Sequence, residues 1–313
     1  MVMARDLLSR PAEELAQLKD RSLELKRKLN AVIVAHNYQR PEIQDVADFI
    51  GDSLELARRC AQTDAEVIVF CGVHFMAETA AILSPRKTVL LPEIEAGCPM
   101  ADMITAEDLQ AWKARFPGRK VVCYVNTSAE VKAESDVCCT SANVLRVVNS
   151  ISDEEILFVP DKNLADFAAR RTSKKIIAWD GYCYVHNNIM ASDIKDSRRR
   201  HPQAEVWAHP ECRPEVIDLA DKALSTGQMI REARRGTGRE VILATEPGII
   251  HRLKKENPDK EFYPAKASSL CVNMKKTNLA KVLLALEKNQ HRIAVDPDIA
   301  RRARGAIEKM ISL

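Results

Sequence analysis

The sequence predicts an α/β protein of three homologous three-layer α/β/α domains, whose parallel sheets surround a central cavity with pseudo-threefold symmetry. Short apolar runs alternate with helical patterns, which is typical of parallel sheets covered on both faces. These runs fall into three sets with the same internal order. One cysteine follows the last run of each set, and the three are Cys98, Cys183 and Cys271.

The composition fits a large folded protein that acts on small molecules. The chain has 313 residues, of which 46% are hydrophobic and 29% charged, and this length suggests two or three domains. Its net charge of +3 is too small to indicate bulk attraction to nucleic acid or to a membrane. No apolar run is long enough to cross a bilayer, and residues 1–10 lack the apolar stretch of a signal peptide. We expect a cytoplasmic protein with no nucleic-acid or membrane partner.

The elements follow in a regular order along the chain. An amphipathic helix is predicted over about residues 11–29, and another over about residues 277–288. Nine strands are predicted, three in each set, over residues 31–35, 66–70 and 88–91, then 120–125, 156–159 and 175–179, then 205–208, 240–244 and 261–263. The corresponding domains are residues 1–96, 97–181 and 182–274, with the helices of residues 275–313 packing back on the first domain.

The three sets share a register. The first strands end in the segments AVIVAHNY, VVCYVNTS and EVWAHPEC, which makes His36, Asn126 and His209 equivalent. These three residues lie 62, 57 and 62 residues, respectively, before the cysteines of their sets. A long repeat of this kind indicates duplicated supersecondary units, and open α/β sheets bind ligands beyond the carboxyl ends of their strands. We therefore expect the polar strand ends and the cysteines to face one cavity.

Three convergent thiolates indicate a metal site. The nine cysteines are an odd number in an apparently intracellular chain, so structural disulfides are not expected. Several soft ligands around one point favour a [4Fe-4S] cluster, and three of them would leave one iron open as a Lewis acid. A zinc site with three cysteines is the alternative. The other six cysteines are interpreted as core residues.

Hydroxyl and ionisable residues near the strand ends predict a binding site for an acidic, phosphorylated substrate. The site would hold this substrate through neutral and cationic donors of the protein. Three segments place a hydroxyl near a helix start, where free N–H groups bind carboxylate or phosphate: Gly51-Asp52-Ser53, Thr140-Ser141-Ala142 and Ser225-Thr226-Gly227. Candidates for acid–base chemistry are two phenols, three imidazoles and one carboxylate, namely Tyr38, Tyr124, His36, His186, His209 and Glu211.

These motifs together resemble the quinolinate synthase family along nearly the whole chain. The segments that carry the resemblance, in family order, are AHNYQRPEIQDVADFIGDS, FCGVHFMAETAAIL, EAGCPMAD, YVNTSAEVKAESDVCCTSAN, FVPDKNL, GYCYVH, AHPEC, STGQMI, ATEPGIIHRL and CVNMKKTNL. The resemblance implies three homologous α/β domains around a [4Fe-4S] cluster, with Cys98, Cys183 and Cys271 as its ligands and one iron left open.

The resemblance also implies an activity and a set of site residues. Iminoaspartate condenses with dihydroxyacetone phosphate to give quinolinate, phosphate and water in NAD biosynthesis, with possible coupling to an aspartate-oxidising enzyme. The substrate-binding positions are His36, Ser53, Tyr124, Asn126, Ser141, His186, His209, Glu211, Ser225 and Thr226. Glu211, Tyr38, His209 and Tyr124 are the candidates for catalysis. Two alternatives stay open: another [4Fe-4S] hydro-lyase of the aconitase type, and a non-catalytic iron–sulfur sensor.

Overall fold

Three four-stranded parallel sheets, one in each repeat, form the frame of the protein. The computed structural model describes residues 12–313. The first repeat comprises α1 Ala12–Lys28, β1 Ala31–His36, α2 Pro41–Gln44, β2 Phe49–Gly51, α3 Ser53–Gln62, β3 Val67–Cys71, α4 His74–Leu83 and β4 Thr88–Leu90. The second comprises α5 Ala106–Arg115, β5 Lys120–Tyr124, α6 Ala129–Ala133, β6 Val137–Cys139, α7 Val144–Ser150, β7 Glu155–Val159, α8 Lys162–Ala169 and β8 Lys175–Ala178.

The third repeat has the same plan. It comprises α9 Tyr184–Asn187, α10 Ala191–Arg200, β9 Glu205–Ala208, α11 Pro214–Ile217, β10 Lys222–Ala223, α12 Thr226–Arg235, β11 Glu240–Ala244, α13 Ile249–Glu256 and β12 Glu261–Pro264, and is followed by α14 Leu279–Lys288 and α15 Pro297–Ser312. The strand orders are β2-β1-β3-β4, β6-β5-β7-β8 and β10-β9-β11-β12, all parallel. The predicted fold class is therefore confirmed.

The first sheet is covered on both faces because successive side chains of a strand point to opposite sides. Val32 and Val34 of β1 belong to the main core, which includes residues of α3 and α4. Ile33 and Ala35 point the other way and pack with α14 and the apolar side of α1. Near-continuous apolar strands are the expected result of such two-sided burial. The helix after the third repeat thus returns to the first sheet.

The prediction of nine strands is wrong, because each sheet has a fourth, short strand at one edge. These strands are β2, β6 and β10, with three, three and two residues. Strands of this length carry too few residues for a periodic pattern to be recognised in the sequence. They matter for function because Ser53 and Ser141 lie two residues, and Thr226 three residues, after the ends of these strands.

The C-terminal helix α15 joins the first and second repeats. It packs against α4 on one side and against α6 and β6 on the other. Asn143 Nδ2 donates a hydrogen bond to the Met310 carbonyl oxygen at 2.9 Å, and Arg58 Nε donates to the Ile311 carbonyl oxygen at 2.9 Å. The domain boundaries at residues 96, 181 and 274 stay predictions. Residues 1–10 and the start of the predicted first helix at residue 11 lie outside the described residues.

Between residues 12 and 313, no helix combines the length and the apolar character needed to cross a membrane.

A pair of glycine substitutions tests the packing of the Cys183 loop. A β-carbon on buried Gly181 would collide with the carbonyl oxygen of Pro160, so Gly181→Ala is expected to lower the free energy of unfolding by about 1–3 kcal/mol. Exposed Gly305, inside α15, has open space around it, so Gly305→Ala is expected to raise that free energy by about 0.5–1 kcal/mol. Urea unfolding measures both, and an unchanged Gly181→Ala protein would contradict the packing described.

Candidate active site

The carboxyl ends of strands from all three sheets open onto one cavity. The cavity has an empty volume of about 750 Å³, which includes its open mouth. Every site residue predicted from the sequence lines it except Ser225: His36, Tyr38, Ser53, Cys98, Tyr124, Asn126, Ser141, Cys183, His186, His209, Glu211, Thr226 and Cys271. Residues that lie up to 235 positions apart in the chain therefore share one chamber.

Exposure separates the cavity cysteines from the others. Cys98, Cys183 and Cys271 are partly exposed, whereas the other six cysteines are buried. Burial raises the pKa of the Cys98 thiol to about 12 and raises the pKa of the other two cavity thiols as well. A thiol with a raised pKa becomes a thiolate at neutral pH only beside a cation, and a bound metal supplies one. The three thiols therefore suit metal ligation rather than free nucleophilic chemistry.

Two buried carboxyl groups hold the cysteine loops in place. The Cys183 backbone N–H donates to Asp161 Oδ2 at 3.2 Å, and the Cys271 backbone N–H donates to Glu246 Oε1 at 3.4 Å. Each acid lies two residues beyond the third strand of its sheet in chain order, β7 for Asp161 and β11 for Glu246. Sequence reasoning missed both, although the aligned strand ends VPDK and ATEP place an acid at the same position.

The third cysteine loop is also tied to the first repeat. Lys275 Nζ lies 2.9 Å from Glu246 Oε1 and also donates to the carbonyl oxygen of Tyr38. Gly248 approaches this pair so closely that a β-carbon there would lie 2.5 Å from Lys275 Nζ. The ion pair thus links the loop of Cys271 to the loop that carries Tyr38.

Glu211 is the buried charge at the centre of the site. Tyr124 donates its hydroxyl hydrogen to Glu211 Oε1, and His186 Nδ1 lies 2.5 Å from Glu211 Oε2. Burial by itself would raise the pKa of Glu211, but the charge of His186 and the hydrogen bonds from His186 and Tyr124 outweigh it and hold this pKa below its ordinary value. The carboxylate is therefore ionised near neutral pH and can accept protons.

Two equivalent histidines are held neutral and in one tautomer. His36 Nδ1 accepts a hydrogen bond from the Tyr38 backbone N–H at 3.2 Å, and His209 Nδ1 accepts one from the Glu211 backbone N–H at 3.3 Å. Burial lowers the pKa of both rings to about 3. Each neutral ring must then carry its hydrogen on Nε2. His209 uses this hydrogen to donate to Ser141 Oγ, 3.1 Å away.

Hydroxyl groups with free hydrogens line the same wall. Because Ser141 Oγ accepts from His209, its own hydrogen can donate into the cavity. Thr226 Oγ1 likewise accepts from Asn37 Nδ2 at 3.0 Å, which leaves its hydrogen free. Asn37 was missed by sequence reasoning, because no local pattern distinguishes a residue that contacts Thr226 across 189 positions. The Asn126 side-chain oxygen is buried without a hydrogen-bond partner, so it can accept from a ligand.

Two expectations about substrate donors are not met. Among residues 12–313, no lysine or arginine lines the cavity, so the expected cationic donors do not form its wall. Ser225 does not line it either. Its Oγ caps α12 by accepting from the Gln228 backbone N–H at 3.3 Å, and it lies 3.4 Å from Asp52 Oδ2.

A mixed set of ligand atoms also occurs in the cavity. Cys183, His186 and Glu211 each offer one ligand atom, and these atoms lie within 4.8 Å of one another. This set could hold a single ion. However, His186 Nδ1 already lies 2.5 Å from Glu211 Oε2 and 3.3 Å from Cys183 Sγ, so this nitrogen is already in contact with partners in the protein.

Comparison with known proteins identifies relatives along nearly the whole chain. Residues 20–312 match the family described as "Quinolinate synthetase A protein". A "Quinolinate synthase" of Methanoregula boonei is 56% identical over 96% of this chain and 100% of its own. The "Quinolinate synthase" of Dehalococcoides mccartyi (strain CBDB1) is 58% identical over 92% of this chain and 95% of its own. The "Quinolinate synthase" of Thermodesulfovibrio yellowstonii is 55% identical over 93% of this chain and 96% of its own.

Thiol labelling tests the exposure pattern. In metal-free protein, N-ethylmaleimide is expected to modify Cys98, Cys183 and Cys271 first, because a buried thiol reacts only after local opening. Mass spectrometry of tryptic peptides over time measures the order. Equally fast labelling of buried Cys60 or Cys212 in the folded protein would contradict it.

The two neutral histidines predict acid sensitivity of the metal-free protein. Their pKa is about 3 in the folded state and 6.5 ordinarily, so below pH 6.5 the unfolded chain binds protons that the folded protein does not. The free energy of unfolding should therefore decrease as the pH falls from 6.5 towards 3. Urea unfolding at pH 7.5 and pH 5 measures how steeply the free energy of unfolding changes with pH. This slope should be smaller for His36→Gln than for the wild type. Equal slopes for the variant and the wild type would contradict this.

Proposed function

The chain belongs to the quinolinate synthetase A family, and from this we infer that it is a quinolinate synthase of NAD biosynthesis. Iminoaspartate and dihydroxyacetone phosphate combine to give quinolinate, one phosphate and two waters. Two bonds close the ring, one between carbons and one between carbon and nitrogen. The observation that carries the proposal is a single cavity shared by three equivalent, partly exposed cysteines and by Glu211. Membership of this family favours the synthase over the two alternatives, an aconitase-type hydro-lyase and an iron–sulfur sensor.

We propose that Cys98, Cys183 and Cys271 hold a [4Fe-4S] cluster. The residues fit this group because three soft donors, one from each repeat, open onto one chamber while the remaining thiols are buried. When bound through three thiolates, such a cluster supplies a Lewis-acidic iron with one open position. A single zinc ion on the same thiols, or on the mixed set of Cys183, His186 and Glu211, is the competing assignment. Iron and sulfide content distinguishes the two.

Neutral donors from the three repeats would bind the anionic groups of the substrates. Ser53 begins α3 and Thr226 begins α12, so each hydroxyl lies at a helix start, where the helix dipole favours an anionic group. His36 Nε2 and Ser141 Oγ add two further donors, and the Asn126 oxygen suits the N–H of iminoaspartate. Ser225 would contribute indirectly, because it caps α12 and so orients Thr226, the first residue of that helix. Holding both reactants in register supplies a large part of such catalysis.

Glu211 and the two tyrosines would carry the proton transfers. Glu211 is ionised and accepts protons, whereas burial raises the pKa of Tyr38 and Tyr124, so both remain phenols that donate. The low pKa of His209 gives it the role of a neutral hydrogen-bond donor in this scheme. We further propose a cytoplasmic location and supply of the unstable iminoaspartate by an aspartate-oxidising enzyme.

Cysteine replacement tests this function. The wild type, purified without oxygen and reconstituted with iron and sulfide, should bind about four irons per chain and release quinolinate and phosphate. Cys98→Ala, Cys183→Ala and Cys271→Ala should each lose most of the iron and at least about a hundredfold in rate. Cys60→Ala, which removes a buried thiol, is the control and should keep both.

The outcome separates the parts of the proposal. Iron binding without quinolinate formation would contradict the proposed reaction. Quinolinate formation by a cysteine variant that holds no iron would contradict the proposed role of the cluster.

A further inference from the structure

The three cavity cysteines share one kind of hydrogen-bond donor. Each sulfur accepts from the backbone N–H of the residue three positions further along the chain, namely Ala101 for Cys98, His186 for Cys183 and Met274 for Cys271. Hydrogen bonds of this kind stabilise negative charge on a sulfur. The repeated backbone therefore treats the three thiols alike, and any difference between them must come from donors outside this shared pattern.

Tyr184 supplies such a donor to Cys271. It is the first residue of α9 and directly follows Cys183, whereas Pro99 and Val272 follow the other two cysteines. Its hydroxyl forms a hydrogen bond with the Cys271 side chain, 87 positions further along the chain. Tyr184 is partly buried and lies in the wall of the cavity. The residue beside the second cysteine therefore contacts the third.

The direction of this hydrogen bond follows from a second contact of the same hydroxyl. The Val272 backbone N–H donates to the Tyr184 hydroxyl oxygen at 3.0 Å. Because the oxygen accepts there, its own hydrogen is free to be donated. A thiolate has no hydrogen and can only accept. Tyr184 is therefore the donor when Cys271 is a thiolate, as it must be to hold a metal.

The contact with Val272 also fixes where this hydrogen points. The side chains on both sides of Cys271 are exposed, Leu270 by 43% and Val272 by 61%, so apolar packing does not hold this part of the loop. The hydrogen bond from the Val272 N–H holds the loop against the Tyr184 hydroxyl instead. One oxygen atom thus meets both the sulfur and the peptide group that follows it, which keeps the donor in line with the sulfur.

We propose that Tyr184 is a positioning residue for the cluster, whose hydroxyl donates a hydrogen bond to the Cys271 thiolate and stabilises its negative charge. This inference rests on the proposed function, because it takes Cys271 to be a cluster ligand. Reduction adds negative charge to a cluster, so a donor to a ligating sulfur favours the reduced state. The same donor opposes protonation of the thiolate, which would release the iron. Tyr184 acts on the cluster through Cys271.

The test compares the reconstituted wild type with Tyr184→Phe and with Tyr182→Phe. The control removes a hydroxyl on the other side of Cys183, from a ring whose centroid lies 5.2 Å from Lys162 Nζ. All three proteins should bind about four irons per chain. In Tyr184→Phe the reduction potential of the cluster should become more negative, and bathophenanthroline disulfonate should remove iron about ten times faster than from the wild type. Tyr182→Phe should match the wild type in both measurements.

An unchanged reduction potential in Tyr184→Phe overturns the proposal, even if iron is lost faster, because the hydroxyl would then only fasten the loop through Val272. Equal shifts in Tyr184→Phe and Tyr182→Phe also overturn it. If Tyr184→Phe takes up no cluster, 3-fluorotyrosine at position 184 keeps the hydroxyl and makes it a stronger donor. The reduction potential should then become more positive, and an unchanged value overturns the proposal.

Failure of this inference can be told apart from failure of the proposed function. Neither the reduction potential nor the rate of iron loss depends on the formation of quinolinate. A wild type that holds the cluster but forms no quinolinate refutes the proposed reaction and leaves the role of Tyr184 to be decided by these two measurements. A wild type that takes up no cluster overturns both.

Discussion

The carboxylate of Glu211 is buried where three sheets meet, and water cannot solvate its charge there. Moving a lone carboxylate into such a place costs several kcal/mol, so partners must surround it. Tyr124 from the second sheet and His186 from α9, which begins directly after Cys183, supply the two closest hydrogen bonds. The charge is therefore stable only while the repeats keep their mutual arrangement, and the same arrangement brings the three cysteines to one cavity.

The repeats share a backbone plan and differ in the residues at their strand ends. Equivalent positions hold His36, Asn126 and His209, and two residues further on Tyr38, Ser128 and Glu211. Identical side chains would form a symmetric chamber, whereas a condensation needs one end to accept protons and another to donate them. The cysteines are the part of the site that stays the same in all three repeats. Under the proposed function, the common plan serves metal binding by the three cysteines, and the differences serve the chemistry.

Periodicity and register in the sequence were enough to place the central strands and the three cysteines, because a repeat of nearly constant length leaves a pattern that can be read. The edge strands β2, β6 and β10 were missed, since two or three residues have no period. Asn37 was missed because its role depends on Thr226, which lies 189 residues away in the chain. A lone hydroxyl or amide has no local signature, and only the packing of the repeats reveals its function.

The most direct test of the account is a Mössbauer spectrum of protein reconstituted with ⁵⁷Fe, recorded with and without quinolinate. The account predicts about four irons per chain in one cluster, of which one has a distinct signal that changes when quinolinate binds. The other three, held by Cys98, Cys183 and Cys271, should change little. A single iron per chain, or a four-iron cluster with no site that responds to quinolinate, would contradict the claim that three thiolates leave one iron open to the cavity.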